Sequence, residues 1–339
     1  MRIPENLKFY AKKLGYPSSP ILAEILIGLF NTELKQKLAG FLPETLEGLS
    51  EQSGVSRDEV ETAIGELRKV GAVCRNHRKK EVTEFDLYPD MIEIRDAVLL
   101  SHQVDQHMVE MWDHMVRREM PKTIPLMKKL AIPPAMRTIP IEETVESGSV
   151  VLDIESARSL VLNADQIVAV PCVCRSSRHQ LNLSPDCPAP ETPDLCFLIN
   201  RFGSEALERG VGKIISREEA LRRLKIAEDA GLVHMTRNNI KKDLSICNCC
   251  SCCCTGTFLH NQFGYNAFTP SRFRVELDTD ECTGCETCID RCQFLAIIVD
   301  EVAIIDLDKC FGCGNCVQTC PSEALTLVAF LDENSIRKT

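Results

Sequence analysis

Apolar positions in the first ninety residues recur with the spacing of helices that bury one face. Ile21, Leu22, Ile25, Leu26 and Leu29 fall at i, i+1, i+4, i+5 and i+8, an amphipathic stripe. Leu46 to Gln52 reads as a further short helix and Gly54 as the turn that follows it. Ser56 and Glu59 form a capping box for a helix that buries Val60, Ile64 and Leu67 and stops at Gly71. Ala72 to Tyr88 then alternates like two strands around the polar tip Asn76 to Lys80. From Met91 to Met120 the spacing predicts one long helix, with Val104, Met108, Met111, Trp112 and Met115 on one stripe and His102, His107 and His114 as structural residues rather than ligands. Pro121, Pro125, Pro133, Pro134 and Pro140 should break regular structure and mark a linker. Farther on, Ser216 and Glu219 cap a helix through Ala220, Leu221, Leu224 and Ala227 that ends at Gly231. Ile297 to Val299 and Val302 to Ile305 read as a hairpin around Asp300 and Glu301.

Helices followed by a two-stranded hairpin make residues 20 to 88 resemble a winged helix-turn-helix domain. The resemblance implies DNA binding, yet the would-be recognition helix shows Arg57, Arg68 and Lys69 against Asp58, Glu59, Glu61 and Glu66, a surface that repels phosphate. Arg75, Arg78, Lys79 and Lys80 make the hairpin tip basic, which a solvated edge also explains. Docking to a protein is the better expectation.

Composition changes the picture through one residue type. The 339 residues include 19 cysteines, with 39 basic and 49 acidic side chains and a net charge of −10. A chain of this length needs no disulfides to hold a core. No basic, apolar leader opens it, and the best apolar run, Ile21 to Phe30, is short and holds Glu24, so a cytoplasmic protein without a membrane span is expected. In a reducing compartment closely spaced cysteines point to metal ligation, and the acidic balance argues against nucleic acid as the main partner.

Cys282, Cys285, Cys288 and Cys292 follow C-x2-C-x2-C-x3-C, and Cys310, Cys313, Cys316 and Cys320 repeat it, with Pro321 after the last. The flanks repeat too: Ile289 with Val317, Ala296 with Ala324, Ile297 with Leu325, and Val299 with Leu327. Three cysteines on one tight loop reach three irons of a cube, while the fourth points away toward another cluster. Here the chain resembles bacterial dicluster ferredoxins, over about residues 273 to 330. The resemblance implies two [4Fe-4S] clusters with crossed ligands: Cys282, Cys285, Cys288 and Cys320 for one, and Cys310, Cys313, Cys316 and Cys292 for the other. Paired C-x2-C can also hold zinc, but four cysteines per repeat ending in Cys-Pro favour iron. Gln293 stands where that family has proline, which suggests an amide or water near the second cluster and a higher potential. From Ser271 onward the chain has 6 basic and 13 acidic residues, so a basic docking partner and salt-sensitive association are expected.

The middle of the chain adds Cys172, Cys174, Cys187 and Cys196, and then Cys247, Cys249, Cys250, Cys252, Cys253 and Cys254 within eight residues. That density lacks core periodicity and reads as metal binding. Cys247, Cys250 and Cys253 keep a C-x2-C-x2-C register and Cys187 precedes Pro188, which suggests a third cubane. Cys172, Cys174 and Cys196 with one of Cys249 or Cys252 suggest a fourth, or a cluster of another shape. Arg175 and Arg178 are candidate donors to sulfide, and His179, His234 and His260 candidate replacement ligands. No nucleotide-binding fingerprint or Walker motif occurs.

The sequence therefore predicts an α+β multidomain protein: a winged-helix-like domain over 1–90, a long helix and proline-rich linker over 91–140, a cysteine-rich cluster-binding domain over 141–270 and a dicluster ferredoxin domain over 271–339. Its expected function is passing low-potential electrons between redox partners. The alternatives are a subunit of an anaerobic oxidoreductase with a substrate-binding middle cluster, and a redox-sensing winged-helix regulator.

Overall fold

The computed structural model describes residues 2–76, 83–101, 103–238 and 245–332. Arg78, Lys79 and Lys80 of the expected basic tip, and His102, lie outside the described residues. Two compact units result: one takes the chain up to Thr123 with Ser176–Leu183 and Ser204–Val211, and the other takes the rest. The cysteine-rich and repeat segments share the second unit.

In the first unit, α1 (Lys8–Lys13), α2 (Pro20–Leu29), α3 (Glu33–Ala39), α4 (Leu46–Ser53) and α5 (Arg57–Lys69) precede an antiparallel pair, β1 (Val73–Arg75) and β2 (Phe85–Leu87). Leu22, Ile25, Leu26 and Leu29 of the α2 stripe are buried with Val60, Ile64 and Leu67 of α5 in one core, and Ile21 packs half-buried against it. Ser56 Oγ accepts from the Glu59 N–H at 3.4 Å and lies 2.6 Å from its carboxylate, which closes the cap. Gly71, at φ +82°, ends the segment where a Cβ would run into the Ala97 carbonyl.

The single helix expected over Met91–Met120 does not form. α6 (Met91–Leu99) stops, and Asp105 opens α7 (Gln106–His114) by accepting from the Met108 N–H at 2.8 Å, a cap the apolar stripe concealed. α7 continues through a π turn, Met115–Glu119, into α8 (Met120–Lys129), so Pro121 and Pro125 lie inside helix rather than ending it. The π turn bonds the Met120 N–H to the Met115 carbonyl, shifting the ladder just before the residue that has no N–H to give. Trp112 and Met115 are buried in the first unit's core, and His107 pairs with Glu24 at 2.8 Å on the surface.

The second unit is built on a seven-stranded sheet of the described residues. From there on the elements in chain order are β3 (Met136–Thr138), α9 (Ala157–Leu162), β4 (Ile167–Val170), α10 (Val173–Gln180), β5 (Cys196–Ile199), α11 (Arg201–Glu208), β6 (Lys213–Ile214), α12 (Arg217–Asp229), β7 (Val233–Arg237), β8 (Ser245–Cys249), α13 (Thr255–Phe263) and β9 (Phe268–Thr269), of which α10 from Ser176 and α11 from Ser204 are counted with the first unit. The strand order is β6-β4-β5-β8-β7-β3-β9, antiparallel except for β3 beside β9. One face, with Ala169, Phe197, Ile199 and Ile246, is covered by Ala157 and Val161 of α9 and Ala220 and Leu224 of α12. Strand parity sends the intervening residues to the other face. That parity puts Cys196 of β5 and Cys247 and Cys249 of β8 together, beside Val233 and Met235 of β7.

The repeat segment contributes β10 (Phe273–Leu277), α14 (Thr287–Arg291), β11 (Ile297–Val299), β12 (Ala303–Ile305), α15 (Asn315–Gln318) and β13 (Leu325–Ala329). β10 pairs with β13 and β11 with β12, both antiparallel. Polar bonds fasten it to the rest of the unit. Arg272 grips Glu155 through two contacts of 2.7 Å, both side chains buried, and the Ile141 N–H donates to the Cys313 carbonyl at 3.0 Å. Arg291 donates to the Glu228 and Asp229 carbonyls, and Asn315 to that of Gly231.

Candidate metal centres

The eight repeat cysteines line two separate cavities. Cys282, Cys285, Cys288 and Cys320 line one with Pro321, Val299, Ala303 and Leu325. Cys292, Cys310, Cys313 and Cys316 line the other with Ile297, Ile305 and Phe311. In each cavity the fourth thiol comes from the other repeat. Glycines make the loops possible: Gly284 and Gly312 stand at positive φ with the Glu301 and Phe273 carbonyls where a side chain would go.

The family of 4Fe-4S binding domains matches residues 275–298 and 303–326. The C-terminal part is thus an iron-sulfur binding domain of two tandem motifs. No curated protein and no solved structure matches the chain. The donor set suits the cofactor: four thiols and an apolar wall per cavity, with the Ala303 N–H donating to Cys282 Sγ at 3.4 Å and the Ala296 N–H to Cys292 Sγ at 3.3 Å. The surroundings of the two sets differ. Cys285 is exposed, and bonding to Thr287 holds its thiol below the ordinary value. Cys316 is buried, and burial pushes Cys313 up to about 12.

Gln293 does not face the second cavity. Its side chain is buried and accepts from the Ser251 N–H at 2.7 Å, because the middle cysteine loop packs over it. The expected amide at the cluster is instead a clamp between two cysteine segments.

The middle cysteines sort differently from their sequence register. Cys187, Cys250, Cys252 and Cys253 come together, all four sulfurs within 4.8 Å of one another. Cys247 is absent from that group: it lies on β8, whose parity turns it toward Cys196, and Cys196 also reaches Cys172. Cys254 reaches both Cys174 and Cys249. The third set expected from C-x2-C-x2-C therefore exchanges Cys247 for Cys252. The fourth loses Cys252 and gains Cys247 and Cys254. A strand places i and i+2 on one face, and a loop-register reading of CNCCSCCC missed that the run begins in a strand.

Arg175 is buried beside these thiols, with Nη2 on the Asn248 carbonyl at 3.1 Å and no partner for Nε among the described residues. Burial disfavours its charge, but Cys172, Cys196, Cys250 and Cys187 outweigh this and raise its pKa. Arg178 is turned elsewhere, paired with Asp113 at 3.2 Å. His234 is bonded to Asn248 and Glu228, and His260 to Asn266 at 3.0 Å; neither these nor His179 joins a thiol group among the described residues.

Proposed function

We propose that this protein passes single electrons between redox partners through two [4Fe-4S] clusters, one on Cys282, Cys285, Cys288 and Cys320 and the other on Cys292, Cys310, Cys313 and Cys316. The observation that carries the reading is the pair of cavities, each walled by three thiols of one repeat and one of the other. When bound, the clusters supply reversible one-electron storage; the chain's share is to hold the thiolates, exclude water and set the order of exchange. Exposed Cys285 marks the outer end, where a partner delivers or collects charge. The exposed faces of Ile298 and Ile304 beside Asp300, Glu301 and Asp306 suit a partner with basic residues around an apolar centre. Free thiols throughout fit a reducing compartment such as the cytoplasm.

From the inner set the apolar contacts continue. Phe294 and Phe311 stack at 4.2 Å in a cluster shared with Cys249, Cys254, Cys292 and Cys313. The six thiols of Cys172, Cys174, Cys196, Cys247, Cys249 and Cys254 supply ligands for a further iron-sulfur cluster at the inner end, and Arg175 Nε, without a partner among the described residues, supplies a hydrogen-bond donor to its sulfide. The first unit acts as a protein-docking module rather than a DNA reader: Arg68 of α5 is taken by Glu205 and Glu208 at 3.2 and 2.7 Å, and Arg75 by Glu208.

The test is anaerobic reconstitution followed by iron and acid-labile sulfide assay and EPR of the reduced protein. More than about eight irons per chain, with equal sulfide and the signal of two coupled clusters, is the expected result. A colourless protein with zinc in the repeat would overturn it. About eight irons would leave the repeat clusters and remove the inner one.

A further inference from the structure

The four sulfurs of Cys187, Cys250, Cys252 and Cys253 close on one another. Cys187 Sγ lies 3.8 Å from Cys250 Sγ, Cys252 Sγ lies 3.6 Å from Cys253 Sγ, and no pair exceeds 4.8 Å. A zinc ion about 2.3 Å from each of four tetrahedral thiolates sets its sulfurs about 3.8 Å apart. A cubane spreads its thiolates over separate iron corners, and in the repeat each set of four lines a pocket without closing to the span of the Cys187 group. Among the described residues no other three metal-binding side chains close to the span of the Cys187 group.

We propose that Cys187, Cys250, Cys252 and Cys253 bind one tetrahedral divalent ion, zinc, and not an iron-sulfur cluster. The surroundings are those of a closed structural site. Ala189, Leu195, Ala227 and Leu232 pack around the thiols, and four thiolates complete a tetrahedral shell. The Ala189 N–H donates to Cys187, two residues before it, and Ser184 Oγ donates to the Cys252 carbonyl at 3.3 Å. Ser251, inside the ligand loop, is held by Gln293, the neighbour of Cys292. The ion ties the loop after β8 to the segment around Cys187, and Gln293 sets that loop against the inner repeat cysteines. Binding releases the thiol protons to solvent and transfers no electron.

The experiment uses the full chain, purified without oxygen from cells supplied with both iron and zinc. Zinc, iron and labile sulfide are counted in the parent and in Cys252→Ser and Cys187→Ser. The expected result is one zinc per chain in the parent, lost in both variants while iron and sulfide hold their parent values. Co2+ added to metal-depleted protein should give the intense visible bands of a tetrahedral tetrathiolate, which needs no variant to fold. One iron in excess of sulfide, lost in the variants, also supports the single-ion site. Loss of about four irons with their sulfide from Cys252→Ser overturns the proposal, as does a parent that holds no zinc and gives no cobalt bands. The repeat clusters are read separately through sulfide, so failure here leaves the electron-transfer reading untouched.

Discussion

Two kinds of four-thiol group within one compact unit, the pair of sets in the repeat and the Cys187 group, differ in how their sulfurs are spaced. In the repeat, carbonyl-facing glycines and crossed fourth ligands hold the sulfurs around an apolar void. In the Cys187 group the loop Cys250–Cys253 folds so that the sulfurs themselves occupy the centre. Ligand identity is the same in both, so residue type cannot distinguish them. Spacing in space does: sulfurs within 4.8 Å of one another match the shell of a single ion, and the repeat sets do not close to that span.

The sharpest way to break that contrast is to remove one thiol from each group. Cys313→Ser should cost a whole cluster, about four irons and four sulfides, with collapse of the coupled EPR signal. Cys252→Ser should cost no iron. Equal iron loss in both would erase the distinction. The next effect is on stability. Arg272→Ala strips a buried carboxylate, Glu155, of its bidentate partner at the start of the repeat, and both side chains are about 95% buried. Unfolding stability measured by denaturant titration of the loaded protein should fall by about 3–5 kcal/mol, because an uncompensated buried charge remains. Zinc should persist in that variant if the Cys187 group is held from outside the repeat.

How much of this was written in the chain depends on the range of the signal. The caps at Ser56 and Ser216 act within one helical turn, and Glu59 and Glu219 offer their N–H groups to those hydroxyls as the spacing requires. The repeat cysteines were readable because duplication supplies its own alignment. The middle thiols were not, since their grouping depends on where β8 ends: Cys247 and Cys249 obey strand parity, while Cys250, one residue on, belongs to a loop. No local rule marks that change within an unbroken cysteine run. Gln293 was misread for a related reason. Its partner, Ser251, lies 42 residues away, and only tertiary packing brings the two together. Pro121 and Pro125 misled in the opposite direction: both lie inside helix, Pro121 directly after a π turn five residues long that shifts the ladder.

Gln293 also offers the smallest and most discriminating test. Gln293→Ala removes the acceptor from the Ser251 N–H without touching a sulfur, and a backbone donor left unsatisfied costs about 1–3 kcal/mol. If Gln293 clamps the zinc loop, this loss should appear as faster zinc release to a chelator, while both repeat midpoint potentials stay where they were. If the amide instead tunes the cluster beside Cys292, the potential of that cluster should move and zinc release should not. The two readouts separate a mechanical link between the contrasting thiol groups from an electrostatic one, because a hydrogen bond aimed at Ser251 does not act on a sulfide that the Gln293 side chain does not face.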